Sequence, residues 1–459
     1  MLPTTLAQDT IIALATAAGH GAIAIIRLSG PEAIAIVNDV FKGKNLHKQP
    51  SHTLHFGTIR EDDRILDEVV VSLFKAPASY TKEDVVEVSC HGSPYITEQL
   101  LKLFLRKGAR LAEPGEFTKR AFLNGQFDLA QAEAVADLIA SDSALTHQVA
   151  MKQMRGGFSQ EIKALRVQLI HFASMVELEL DFSEEDVEFA DRSALRRLIT
   201  TLQQLVADLL KSFEMGNVLK NGVPTVIAGK PNAGKSTLLN ALLNEEKAIV
   251  SDIPGTTRDV IEDEAQVGGI RFRFIDTAGL RDTQDTVEAI GVARTKEQLQ
   301  KASLVLYLFD VTTTSPEELT EEIEALQLPQ VPYLLIANKK DLATPDQLER
   351  FTDFENLVYL SAGTKAGLKE LEEALLQVVN ANEALTGDRT IVTNLRHFQS
   401  LQKTAMALQE VLHGLDTGLT GDWLAADIRR CLFYLGEITG DITTDDLLDN
   451  IFTKFCIGK

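Results

Sequence analysis

Gly229-Lys230-Pro231-Asn232-Ala233-Gly234-Lys235-Ser236 fits the pattern G-x-x-x-x-G-K-[ST], and it stands between an apolar run, Val226-Ile227-Ala228, and a helix-forming one, Thr237 to Leu243. In a loop joining a buried strand to a helix N-terminus, successive backbone N–H groups point into one concavity, and the helix dipole adds positive potential for a phosphate. Gly229 and Gly234 permit the tight path, Lys235 can reach the β- and γ-phosphates as a point charge, and the Ser236 hydroxyl can hold Mg²⁺. Three further stretches follow in order. Asp276-Thr277-Ala278-Gly279 ends a strand-like stretch, Arg271 to Ile275, where a carboxylate can approach the Mg²⁺ shell and a glycine N–H the γ-phosphate. Asn338-Lys339-Lys340-Asp341 follows the apolar run Tyr333 to Ala337, and the Asp341 carboxylate can accept both the N1–H and the exocyclic N–H₂ of guanine, a donor pair that adenine lacks. Ser361-Ala362-Gly363, after Val358-Tyr359-Leu360, offers a backbone contact to the base oxygen. Each motif follows its own strand, so the series implies a guanine nucleotide on a P-loop α/β domain.

Outward from that stretch, 459 residues with 45% hydrophobic content imply two or three domains with packed cores. The formal charge of −21 argues against a broad nucleic-acid-binding surface, though not against a local basic patch. The three cysteines, Cys90, Cys431 and Cys456, are odd in number and far apart, so neither a disulfide framework nor a C-x-x-C metal site is implied, and a reducing cytoplasm fits. No Lys or Arg precedes Arg27, which argues against a secretory leader, and no apolar run approaches the length of a membrane span.

Residues 1–120 mix short apolar runs, Ala22 to Leu28 and Val69 to Phe74, with a helical one, Tyr95 to Leu105, and read as a small α+β domain. From pattern alone, Arg27 snorkels from a strand edge and Glu87 is the solvent face of an alternating strand. From Phe122 to Leu219 almost no Pro or Gly occurs and apolar residues recur at helical spacing, which predicts a run of long helices. The acidic segment Glu177 to Glu188 reads as a solvated face or helix junction. Residues 366–382, Leu395 to Leu412 and Asp422 to Leu435 read as further helices. An α/β domain bracketed by helices suggests insertion into a discontinuous helical domain, with three domains in series as the simpler alternative.

The phosphate loop, Gly255-Thr256-Thr257-Arg258-Asp259, Asp276-Thr277-Ala278-Gly279-Leu280-Arg281 and the terminal Phe455-Cys456-Ile457-Gly458-Lys459 together resemble the MnmE (TrmE) family of tRNA-modification GTPases. Pro114-Gly115-Glu116-Phe117-Thr118 and Leu129-Ala130-Gln131-Ala132-Glu133-Ala134 resemble its N-terminal and helical signatures. The resemblance covers essentially the whole chain, whereas the ribosome-assembly factor Era resembles only the middle. It implies an N-terminal folate-binding and dimerisation domain at 1–120, a discontinuous helical domain at 121–219 and 381–459, and an inserted Ras-like GTPase domain at 220–380. It further implies a cytoplasmic homodimer that joins a flavin-dependent partner, MnmG (GidA), in a heterotetramer. That complex adds an aminomethyl or carboxymethylaminomethyl group to C5 of the wobble uridine of certain tRNAs, from a 5-formyl- or 5,10-methylene-tetrahydrofolate donor.

The resemblance also assigns roles residue by residue. Ras-like enzymes orient the attacking water with a Gln just after the glycine of the third motif. Here Leu280 stands there. In MnmE-like proteins K⁺ supplies the missing charge, which implies Asn232, Ser251, Ile253 and Thr256 as its ligands. The segment Ser251-Asp252-Ile253-Pro254-Gly255-Thr256-Thr257 then encloses GTP together with Ala233, Gly234 and Thr237. Thr257 joins Ser236 on Mg²⁺, and Glu288 is the implied catalytic carboxylate, acting on water through a bridging water. For folate the resemblance points to Arg27, Glu87, Gln126 and Lys459, with a thiol role for Cys456. The competing reading is a GTP-dependent assembly module whose N-terminal part binds protein or ribosomal RNA. The acidic balance leaves much of the cationic surface for tRNA to the partner.

Overall fold

The computed structural model describes residues 9–181, 192–245, 263–275, 302–326, 331–379, 390–419 and 421–458. Contacts divide the chain into two compact units, one formed by 1–140, 150–203 and 403–459, the other by 141–149 and 204–402.

The first unit holds a seven-stranded sheet of β1 (Ile11–Leu14), β2 (Ile23–Ser29), β3 (Phe41–Lys42), β4 (Thr53–Glu61), β5 (Arg64–Phe74), β6 (Val85–His91) and β7 (Arg110–Leu111), in the order β3-β4-β5-β6-β2-β1-β7. Period-2 alternation gives it two unlike faces. Ala24, Ile26 and Leu28 of β2 and Val69, Val71 and Leu73 of β5 are buried under α1 (Ala33–Val40) and α2 (Pro94–Arg106), against Val37, Leu100 and Phe104. Leu54, Phe56 and Val70 lie on the opposite face, where Phe56 and Val70 pair directly across β4 and β5.

After α3 (Glu116–Leu123), the predicted helical run resolves into α4 (Leu129–Ala140), α5 (Ala144–Met154), α6 (Gly157–Asp181) and α7 (Arg192–Asn221). α6 packs along the helix Gly421–Thr439, far away in sequence, with Arg429 bonded to Glu177 at 2.7 Å and Arg166 paired with Asp441. The helical domain is therefore discontinuous, as insertion requires. The part of the acidic segment beyond Asp181 lies outside the described residues.

The second unit is built on β8 (Val223–Ala228), β9 (Asp263–Val267), β10 (Ile270–Phe274), β11 (Leu304–Asp310), β12 (Tyr333–Asn338) and β13 (Leu357–Tyr359), ordered β13-β12-β11-β8-β10-β9. All neighbours run parallel except β9 with β10. β11 is buried from Leu304 to Phe309, as expected for a parallel strand covered on both faces. α8 (Lys235–Glu245) and the helix Leu368–Val378 cover one face through Leu238, Leu242 and Leu371. The helix Pro316–Leu326 covers the other through Leu319, with Phe351 beside it. The helix expected at 366–382 begins only at Leu368, because Gly367 turns into it at φ +88, where a Cβ would overlap the Tyr359 carbonyl. β8 has β10 on one side and β11 on the other, so strand order reverses there and its carboxyl end opens onto a crevice. Among the described residues no helix is long and apolar enough to cross a membrane.

Candidate functional sites

The crevice at β8 receives the phosphate-loop sequence. Gly229 leaves the strand at φ +140 and Gly234 enters α8 at φ +103, conformations that side chains disfavour. Space forbids a side chain as well: a Cβ on Gly229 would overlap the Leu308 carbonyl, and one on Gly234 the Asn338 amide. Asn232 takes φ +62 at the exposed crest. Lys235 is half-buried, and its ammonium donates to the carbonyls of Gly229 at 2.7 Å and Lys230 at 2.8 Å. Burial pulls its pKa down, so it is a cation held at a cost that an anion in the loop would offset. Ser236 and Thr237 open α8, the first partly covered and the second exposed.

Asn338 draws the base-side loops onto this cradle. Only 3% exposed, it donates through Nδ2 to the Ala233 carbonyl at 2.7 Å and accepts through Oδ1 from the Ala362 N–H at 2.9 Å. Three motifs separated in sequence meet at one side chain. Beside it Lys339, at φ +63, pairs with Asp310 at 2.6 Å, which fixes the turn that exposes Asp341 in the short helix Lys340–Leu342. Burial works against the Asp310 charge, yet Lys339 and the Thr312 hydroxyl and N–H hold its pKa below the usual value. Ser361 is buried, its N–H bonded to Ala366. Sequence reasoning missed a further support. Lys230 Nζ lies 2.5 Å from Glu322 Oε1, and the buried Tyr307 hydroxyl donates to the same carboxylate. Ser251, Asp252, Ile253, Pro254, Gly255, Thr256, Thr257, Asp276, Thr277, Ala278, Gly279 and Glu288 lie outside the described residues.

On the N-terminal sheet, register places Arg27 directly opposite Glu87. Arg27 Nε donates to Glu87 Oε1 at 2.8 Å, and its Nη1 donates to the Gly458 carbonyl at 3.2 Å. The guanidinium sits 5.7 Å from the ring centres of both Tyr80 and Phe117. With side-chain exposures of 16% and 22%, this pair is not the snorkelling cation and solvent-facing carboxylate that pattern suggests. The chain end is anchored beside it: Gly458 has φ +93, a Cβ there would overlap the Leu14 carbonyl, and the Cys456 carbonyl accepts from the Gly115 N–H at 3.3 Å. Cys456 itself is exposed, whereas burial pushes Cys90 up to about 11 and Cys431 up to about 12. Gln126 is exposed in the turn after α3, a turn fastened to the loop after β5 by Asn124 to the Thr81 carbonyl and Lys82 to the Gly125 carbonyl, both 2.7 Å. Lys459 lies outside the described residues.

A charge network unseen in the sequence supports this sheet. Arg120, 4% exposed, donates to Asp9 Oδ1 at 2.7 Å, Glu116 Oε1 at 3.1 Å and Glu83 at 3.3 Å, while Arg110 reaches Glu116 at 2.6 Å and Asp9 at 2.5 Å. Burial opposes ionisation of Glu116, but Arg110, the Glu113 N–H and Arg120 together hold its pKa below the usual carboxylate value.

Two family models match in chain order: the GTP-binding protein TrmE N-terminus over residues 10–126 and the MnmE helical domain over 129–456. The tRNA modification GTPase MnmE of Cytophaga hutchinsonii is 62% identical over 98% of each chain. Its namesake in Flavobacterium johnsoniae is 54% identical over 98% of this chain and 99% of that one. Among solved structures, the G domain of the T. maritima FeoB iron transporter aligns with 34% of this chain and 98% of its own at 28% identity and TM-score 0.25. Matched by both models and more than half identical to these relatives along nearly its whole length, the chain belongs to the MnmE family of tRNA-modification GTPases.

Proposed function

We propose that this GTPase is activated by K⁺ and acts with a flavin-dependent MnmG-type partner to add an aminomethyl or carboxymethylaminomethyl group to C5 of a tRNA wobble uridine, with a tetrahydrofolate derivative as one-carbon donor. The observation that carries the nucleotide half is Asn338, whose two buried hydrogen bonds hold the phosphate loop against Ala362 at the strand-order reversal. The residues present fit a triphosphate: the glycines leave a cradle that any Cβ would fill, and Lys235 is a half-buried cation. Lys235 would neutralise the β- and γ-phosphates, Ser236 and Thr257 would hold Mg²⁺, and Asp341 would select guanine. Asn232, with Ser251, Ile253 and Thr256, would hold K⁺, whose bound charge supplies transition-state stabilisation in the place of an arginine finger. Glu288 would orient the water that Leu280 cannot.

The N-terminal half rests on Arg27, gripped by Glu87 and two rings beneath the anchored chain end; it would bind the acidic pterin-glutamate ligand with Gln126 and Lys459 nearby. We assign residues 1–120 to this domain, 121–219 with 381–459 to the helical domain, and 220–380 to the GTPase domain. The proposed state is a cytoplasmic homodimer; what supports the self-association is the outer sheet face, where Leu54 and Phe56 are 70% and 69% exposed. The test is the steady-state GTPase rate in KCl and NaCl at equal ionic strength for the wild-type chain, Asn232→Ala and Glu288→Ala. A K⁺-specific stimulation lost in both variants is expected; equal rates in the two salts would remove the K⁺ mechanism.

A further inference from the structure

An acidic chain that acts on tRNA needs some surface that tolerates a phosphate backbone, and the described residues contain one. From Val40 to Arg60 the sequence carries Lys42, Lys44, Lys48 and Arg60 with His47, His52 and His55, and no Asp or Glu. At the acid content of the whole chain, 66 in 459, such a span would hold about three. The span begins at β3, the edge strand of the N-terminal sheet, and crosses to β4. Lys42, Lys44, His47, Lys48 and His52 are exposed. Lys75, at the end of β5, joins them by donating to the His47 carbonyl at 3.1 Å.

Pairing separates these lysines from the cations of α2 and its C-terminal cap. Lys102, Arg106 and Lys107 are each bonded to a carboxylate, namely Glu98, Glu61 and Asp39. Among the described residues none of Lys42, Lys44, Lys48 and Lys75 has a carboxylate within ion-pair distance; the carboxylate acting on Lys42, Asp39, is held by Lys107 at 2.7 Å. A polyanion arriving there displaces counterions rather than protein carboxylates. The backbone presenting them is fixed. Leu46 is fully buried, its N–H donates to Asn38 Oδ1 at 2.8 Å, the His47 N–H donates to Asn45 Oδ1 at 3.0 Å, and the Lys75 N–H donates to Ser51 Oγ at 2.9 Å. With Leu46 turned inward, the stretch from Lys42 to Thr53 exposes no large apolar side chain to enter a lipid headgroup layer, and the exposed Leu54 and Phe56 that follow it lie on the sheet face assigned above to the homodimer.

We propose that the ridge Lys42-Lys44-Lys48 with Lys75 is a contact surface for the phosphate backbone of the tRNA on which this chain acts. The inference rests on the tRNA-modifying reading and adds the place where the acidic chain touches its substrate. Lysines act there as point charges, so the contact positions the RNA without reading sequence.

The test is fluorescence anisotropy of an unmodified tRNA transcript with the full-length protein over a series of KCl concentrations. It compares the wild-type chain with a variant carrying Lys42→Ala, Lys44→Ala, Lys48→Ala and Lys75→Ala, and with the matching four-arginine variant. The alanine variant should bind about tenfold or more weakly at low salt, with the slope of log affinity against log salt reduced by about one for each lost phosphate contact. The arginine variant should bind like wild type. GTP hydrolysis in the same samples should be unchanged, which reports folding and the nucleotide reading separately. Wild-type affinity and slope in the alanine variant, or no tRNA binding by the wild-type chain, would overturn the proposal. So would phosphatidylserine vesicles that lose binding to the alanine variant while tRNA does not.

Discussion

In the second unit the candidate site is made by backbone: glycines with positive φ, loop N–H groups and a lysine bonded to two carbonyls, all within eight consecutive residues and clipped by Asn338. In the first unit it is made by side chains brought from β2, β6, the Tyr80 loop, α3 and the chain terminus onto one guanidinium. A backbone cradle binds whatever presents a phosphate and gains specificity from loops added at its rim. A side-chain site depends on several separate elements keeping their register, and it changes whenever one of them moves.

The largest effect should come from the cradle itself. Gly229→Ala drives a Cβ into the Leu308 carbonyl at a φ that alanine disfavours, and should abolish measurable binding of a fluorescent GDP analogue. Binding of tetrahydrofolate by the other unit should persist; joint loss would show that the two sites are not built independently. Asn338→Ala leaves the Ala233 carbonyl and Ala362 N–H buried without that partner, a loss of about 2–4 kcal/mol that should weaken guanine nucleotide binding about 30-fold or more. Wild-type affinity there would break the claim that one side chain assembles the cradle.

In the charge network beneath the side-chain site, Glu116→Gln should destabilise the folded chain by about 1.5–3 kcal/mol at neutral pH, because charge-assisted bonds to two arginines are weakened. The pKa of Glu116 is depressed in the folded state, so its contribution is complete above the ordinary value of 4.5 and fades as pH falls through the lower folded value. Thermal melts of the wild-type chain should therefore fall more steeply than those of the variant as pH is lowered past that value; parallel curves would remove Glu116 from the account. The smallest effect is expected at Glu322→Gln, which frees a half-exposed Lys230. A pair with one half-exposed partner is worth on the order of 1 kcal/mol or less, the Gln oxygen can still accept from the Tyr307 hydroxyl, and a shift of nucleotide affinity beyond about tenfold would mean that Glu322 does more than steady the loop.

Legibility in the sequence follows the same division. The phosphate loop and its strand–helix setting could be read from eight letters because glycine conformation and chain direction are local properties. The discontinuous helical domain could only be suggested, since the packing of α6 on Gly421–Thr439 depends on complementary faces rather than on any short pattern. From pattern alone Arg27 and Glu87 read as ordinary strand residues, and only the family resemblance marks them; what no short pattern carries is the register that sets them opposite each other and the Gly458 carbonyl that Arg27 reaches. The Arg120 network was invisible for the same reason: its carboxylates come from Asp9, Glu83 and Glu116. One signal was available, an arginine followed by Ala121 and Phe122 in a short helix, which needs partners if buried.

The central claim is that one chain joins a guanine-nucleotide cradle to a second site for a reduced folate. Titration calorimetry of 5-formyl-tetrahydrofolate into the full-length protein tests it most directly, with Arg27→Ala beside the wild-type chain and GTP hydrolysis measured on both. The account predicts a saturating isotherm for the wild-type chain, its loss in the variant, and equal hydrolysis. No heat from the wild-type chain, with no protection against thermal unfolding, would contradict it and leave the N-terminal sheet to the binding of protein or RNA.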